Sequence, residues 1–204
     1  MAGPAMNNTH AFAAIGIALS LTIAGCGGGG AGREEPPLAG ARIGGAFTMA
    51  DQDGRTVTDA SYAGKYRVMY FGYTYCPDVC PLDVQKLMQG YRAFAAKDPG
   101  RGARVQPIFV SVDPARDTPA VVKQFVGAFG PGLVGLTGSA AQLAEMAKRY
   151  AVAYSKQQTP GASGYLMNHS RMAVLFAPDG KPVALVRADE GAESVAADLD
   201  RWVV

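Results

Sequence analysis

The apolar positions of this chain switch between two periods, and each switch marks an element. Phe47–Met49 and Thr56–Thr58 are short β-prone runs on either side of Asp51-Gln52-Asp53-Gly54. With Asp-Gly at the turn, that spacing predicts a β-hairpin. Arg67–Phe71 reads as a strand. Val84, Leu87, Met88, Tyr91 and Phe94 then recur at helical spacing, which predicts an amphipathic helix over Pro81–Lys97. Val105–Val112 is a second strand, apolar enough over its latter half to be covered on both faces.

Thr118-Pro119 supplies an N-cap and a first-turn proline for a helix reaching Phe129. Leu143, Met146, Ala147 and Tyr150 share one face of a helix over Ala140–Tyr150, and Val152–Ser155 is read as a short strand. Met172–Phe176 and Val183–Arg187 flank Pro178-Asp179-Gly180-Lys181, a second hairpin signal, and Val195, Leu199 and Trp202 mark a C-terminal helix. This order predicts an α/β sandwich around a mixed central sheet, with an N-terminal β-hairpin and flanking helices. Sites in such sheets form beyond the carboxyl ends of strands, where Gly72–Cys80 lies.

The N-terminus breaks the pattern. Ala11–Gly25 is almost wholly apolar or small, has no Lys or Arg before it, and runs into Cys26. An apolar stretch, small residues and then Cys resemble the lipobox of bacterial lipoproteins. Residues 1–25 are therefore expected to be a signal peptide, 26–40 a lipidated Cys26 with a flexible Gly/Pro linker, and 41–204 the globular domain. The expected location is outside the cytoplasm, anchored to a bacterial membrane and facing the periplasm or cell exterior. A chain of 204 residues, 49% hydrophobic, can bury a core without disulfide staples. Its net charge of +2, with no Lys/Arg run, gives nucleic-acid binding no electrostatic support.

With Cys26 assigned to lipid, two thiols remain, Cys76 and Cys80. Four residues apart at the start of a helix, they suit either a shared metal ion or reversible disulfide chemistry, and the helix N-terminus favours thiolate. The spacing is one residue longer than the Cys-x-x-Cys of thioredoxin-type exchange. A metal needs a third donor. Of the two histidines, His10 is in the expected signal, which leaves His169 just before the strand Met172–Phe176. Two thiolates and an imidazole are a soft set suited to copper, whereas structural zinc wants a fourth protein ligand that the chain lacks. Met167 and Met172 are read as packing residues. Asp113, Arg116 and Asp117 are read as loop and capping chemistry, with Asp117 and Thr118 easing the helix start.

Four ordered motifs carry a resemblance: Tyr70-Phe71-Gly72-Tyr73-Thr74-Tyr75-Cys76-Pro77-Asp78-Val79-Cys80-Pro81, Ser111-Val112-Asp113-Pro114-Ala115-Arg116-Asp117-Thr118-Pro119, Gly135-Leu136-Thr137-Gly138 and His169-Ser170. From Phe47 to the C-terminus the chain resembles the Sco/SenC family of copper proteins, which assist assembly of cytochrome c oxidase. The resemblance implies a thioredoxin-like fold and copper, Cu(I) or Cu(II), on Cys76, Cys80 and His169. It also implies a disulfide between the two cysteines in the oxidised metal-free form. The implied partners are the oxidase subunit with the binuclear copper site, a copper donor, and the membrane through the lipid anchor. Delivery of copper, reduction of the acceptor's cysteines and a redox or copper sensor all remain open at this point. Family members carry His where Tyr75 stands, and acidic residues where Gly164 and Asn168 stand. A carboxylate beside the ligand His is expected to orient its ring.

Overall fold

The computed structural model describes residues 1–3, 5, 34–158 and 164–204. Cys26, His10 and most of the expected signal and linker lie outside the described residues. Glu35–Val204 form one compact unit. Leu38 packs on the core and donates its N–H to the Val183 carbonyl at 3.0 Å, so the packed unit begins earlier than the Gly/Pro composition indicates. Among the described residues no helix is long and apolar enough to cross a membrane.

The elements in chain order are β1 (Thr48–Asp51), β2 (Thr56–Thr58), β3 (Tyr66–Gly72), α1 (Val79–Lys97), α2 (Pro99–Gly102), β4 (Val105–Ser111), α3 (Pro119–Gly127), β5 (Val134–Thr137), α4 (Ala140–Arg149), β6 (Tyr154–Gln158), β7 (Tyr165–His169), β8 (Ala173–Phe176), β9 (Pro182–Val186) and α5 (Ala192–Trp202). Among the described residues, seven strands form one sheet in the order β2-β1-β5-β4-β3-β8-β9. β3, β4 and β5 run parallel, and the outer strands pair antiparallel. The expected mixed sheet with an N-terminal hairpin is present.

Both faces of the sheet are covered, which is why every residue of β3 is buried. Neighbouring residues of a strand point to opposite faces. Tyr70 reaches Asp83 of α1, whereas Phe71 packs on Tyr150 at the end of α4. Helices α1 and α4 therefore lie on opposite sides. Helix α1 also packs tightly on α5 through Gly90, where a Cβ would stand 2.4 Å from the Ala192 carbonyl oxygen and 2.5 Å from the Val195 Cβ.

Several boundaries differ from the sequence expectations. Helix α1 starts at Val79 rather than Pro81, because a proline is tolerated within a first helical turn. Cys80 is therefore helical. Strand β5 was not anticipated, since Val134-Gly135-Leu136-Thr137 is short and carries a glycine. That glycine admits α3, as a Cβ would lie 2.3 Å from Val122. The short strand expected at Val152–Ser155 is β6, displaced to Tyr154–Gln158, and it pairs with β7 in a separate two-stranded sheet. The polar run Tyr154-Ser155-Lys156-Gln157-Gln158 hides this hairpin from a hydrophobicity pattern.

Gly90→Ala is expected to destabilise the domain by about 1–3 kcal/mol through overpacking at the α1–α5 contact. Urea unfolding would show a lower midpoint with an unchanged slope; an unchanged midpoint would contradict this packing.

Candidate metal centre

The loop Tyr73–Asp78 leaves β3 at its carboxyl end and enters α1, so Cys76 lies just outside the helix and Cys80 within its first turn. Cys76 is half-buried and Cys80 fully buried, and both are free thiols. Gly72 makes room for this approach: a Cβ there would sit 3.2 Å from the Cys80 Sγ and 2.9 Å from the Tyr70 ring.

Helix position separates the two thiols chemically. Burial raises the Cys76 thiol, but the Cys80 and Asp78 backbone N–H groups, with the Cys80 and Tyr73 side chains, outweigh it and hold the group below its ordinary value. The Cys80 N–H donates to the Cys76 Sγ at 3.4 Å. Burial pushes the Cys80 thiol up to about 12. The helix-terminus effect expected for the pair thus falls on Cys76 alone.

His169, the last residue of β7, brings its Nε2 to 3.2 Å from the Cys80 Sγ. Its Nδ1 lies 3.1 Å from the Ser170 carbonyl oxygen. A carbonyl only accepts, so Nδ1 carries the proton of the neutral ring and Nε2 presents its lone pair to the sulfur. Burial lowers the His169 pKa, with partial compensation from the Ser170 carbonyl, and so favours that neutral form. The ring stands edge-on to Tyr70 and Tyr73, with centroids at 6.3 and 5.8 Å. Asn168, adjacent in the strand, is exposed. The Ser170 carbonyl, not residue 168, orients the imidazole.

The structure therefore brings Cys76, Cys80 and His169 into one neighbourhood, with Cys80 touching both of the others. They do not close into a three-donor cage: among the described residues no three His, Cys, Asp or Glu side chains stand together at metal-binding spacing. The donor set still fits a soft ion, with two sulfurs and an imidazole whose free nitrogen faces them.

Two clusters built on buried aspartates support this arrangement. Asp117, 0% exposed, accepts from the Thr74 N–H at 3.0 Å, the Thr74 hydroxyl at 2.6 Å and the Ser111 hydroxyl at 2.6 Å. It fastens the cysteine loop to the end of β4. Burial raises its pKa against the pull of those donors. This corrects the capping assignment, since Thr118 alone caps α3 by accepting from the Val121 N–H. Arg116 pairs with Asp113, donates to the Tyr165 carbonyl at 2.9 Å, and lies over the rings of Tyr165, Tyr75 and Tyr73. Asp113 also accepts from the Tyr165 hydroxyl at 2.7 Å. These residues dock the hairpin of His169 onto the cysteine loop. Sequence reasoning missed that role, although a buried-type strand leading straight into Asp, Arg and Asp was a usable signal.

Met167 packs against the core as expected, but Met172 is 49% exposed and is not a packing residue. Tyr75, Leu82 and Leu166 are exposed too.

Comparison with known proteins follows this geometry. The family model described as SCO1/SenC matches residues 35–204. The mitochondrial protein SCO2 homolog of Bos taurus is 42% identical over 136 residues, 67% of this chain and 50% of that protein. Protein SenC of Rhodobacter capsulatus is 41% identical over 140 residues, 69% of this chain and 61% of that protein. The chain thus spans about half the length of the curated relatives it matches. The structure of Bradyrhizobium japonicum ScoI with copper bound has a TM-score of 0.70 at 39% identity, covering 78% of this chain and 99% of that one. The thioredoxin domain of a Bacteroides vulgatus thiol-disulfide oxidoreductase aligns with a TM-score of 0.56 at 18% identity, over 79% of this chain and 96% of that one. The fold is thioredoxin-like.

In the reduced, metal-free protein, iodoacetamide at pH 8 is expected to modify Cys76 first and to reach Cys80 only after unfolding. Peptide mass spectrometry reads the order; equal rates at the two thiols would contradict the separation described above.

Proposed function

Since the chain belongs to the SCO1/SenC family, we propose that it is a copper chaperone that loads copper on Cys76, Cys80 and His169 and delivers it to the binuclear copper site of cytochrome c oxidase. The observation that carries this reading is the Cys80 Sγ–His169 Nε2 contact at 3.2 Å, with the ring nitrogen's lone pair aimed at the sulfur. An imidazole held in that tautomer is prepared to coordinate. The copper-bound relative, at 39% identity, supports the choice of ion.

Copper is cargo here, so the site must also release it. Two thiolates and one imidazole leave room for an incoming donor, and ligands can be exchanged one at a time. Cys76, half-buried and the more acidic thiol, is the donor nearest solvent and the first to exchange. The exposed side chains of Tyr75 and Leu82, within two residues of Cys76 and Cys80, give an acceptor protein a surface to rest on while its own thiols approach. A lipid on Cys26 would hold the domain at a membrane surface and raise the local concentration of a membrane-bound acceptor.

The unequal thiols favour a second reading, reduction of the acceptor's disulfide. The Cys76 thiolate attacks one acceptor sulfur and the other leaves as a thiolate. Cys80 then gives its proton to His169 Nε2 and attacks the Cys76 sulfur, which releases the reduced acceptor and leaves the Cys76–Cys80 disulfide.

Anaerobic Cu(I) titration of residues 35–204 tests the chaperone reading and separates it from the second. One ion per domain is expected, with strong loss of affinity in Cys76→Ala, Cys80→Ala and His169→Ala. A His169→Ala protein that binds copper as tightly as wild type, yet turns over disulfides slowly, would overturn copper carriage and favour exchange.

A further inference from the structure

We propose that Asp83 and Arg171 form a latch that positions His169 on Cys80, an inference that rests on the copper-carrying reading above. His169 ends β7, a strand that pairs with β6 alone among the described residues, whereas β8 resumes at Ala173 in the other sheet beside Tyr70. The three residues between them decide where the imidazole falls. Ser170 ties back to the hairpin itself, its N–H donating to the Ala153 carbonyl at 2.9 Å. Arg171 is the residue of this link that reaches the helix bearing Cys80. Its Nε meets Asp83 Oδ2 at 3.2 Å, and its terminal nitrogen meets both carboxylate oxygens at 3.1 Å.

Asp83 lies three residues after Cys80 on α1, which puts both side chains on neighbouring parts of one helix face. Two rungs therefore join the same pair of segments: Cys80 to His169, and Asp83 to Arg171. Tyr70 braces both from the sheet, its hydroxyl donating to Asp83 Oδ2 at 3.0 Å and its ring meeting the imidazole edge-on. Asp83 is 1% exposed, so its carboxylate is fixed in place and the guanidinium fork must come to it. A planar fork on two oxygens sets direction as well as distance, which a lysine ammonium does not. At the other end of β7, the Arg116–Asp113–Tyr165 cluster reaches the loop rather than α1. Among the described residues, the latch is the side-chain tie from the segment after His169 to the helix of Cys80.

The test is a double-mutant cycle. Asp83→Asn keeps the side-chain shape and removes the charge, and the half-exposed Arg171 is then free to turn to water. Asp83→Asn and Arg171→Lys are compared with wild type, each alone and combined with His169→Ala, by anaerobic Cu(I) competition. Each is expected to weaken binding about 10–100-fold in the wild-type background and to add no further loss in the His169→Ala background. Equal losses in both backgrounds, or no loss in either, would overturn the latch. The metal-free protein gives a second readout: nuclear Overhauser contacts from the His169 ring to the Cys80 β-protons. Their disappearance in a variant with a wild-type unfolding midpoint supports positioning, and their persistence refutes it. A wild type that takes up no copper defeats the functional reading alone, because the proton contacts still decide the latch. If Asp83→Asn does not fold, Arg171→Lys carries the same comparison.

Discussion

One contact organises this protein: the His169 Nε2 against the Cys80 Sγ at 3.2 Å, between residues 89 apart in sequence. Nothing local holds those groups together. The cysteine comes from the first turn of a helix, and the histidine from a two-stranded sheet that, among the described residues, makes no ladder with the main one. The buried polar residues near them are best understood by what they do for that contact. Asp117 fixes the cysteine loop, Arg116 and Asp113 dock the start of β7, and Asp83 with Arg171 receives the residues that follow it.

These devices are buried carboxylates met by donors from other segments of the chain. Leaving any of the partners unsatisfied in the interior costs about 1–3 kcal/mol, more for a charge. Such networks hold Cys76, Cys80 and His169 in register while leaving Cys76 open to solvent. The thiol facing solvent is the acidic one and the thiol facing the imidazole is the shielded one. A single loop geometry thus produces an accessible, acidic thiol and a shielded one from two identical residue types.

Much of this was legible in the sequence, and the exceptions share a cause. The parallel strands, the amphipathic helices, the cysteine pair and the one histidine beyond His10 all announce themselves through pattern or scarcity. Strand β5 and the pairing of β6 with β7 did not, because β5 is short and glycine-bearing and β6 is polar along its length. The same blindness hid the scaffolding of the site. Asp117 looks like a helix cap beside Thr118, and only the fold shows that its carboxylate instead accepts from Thr74, 43 residues away. Residue 168 misled in the opposite sense: its place next to His169 suggested that it orients the ring, but the Ser170 carbonyl does so. Adjacency in a strand sends neighbouring side chains to opposite faces.

The account comes down to what surrounds the ion. X-ray absorption at the copper edge of the Cu(I)-loaded domain counts sulfur and nitrogen donors directly. Two sulfurs and one imidazole nitrogen are predicted, with the nitrogen contribution lost in His169→Ala. A shell of sulfur alone in the wild type, or a nitrogen signal that survives that substitution, would contradict it.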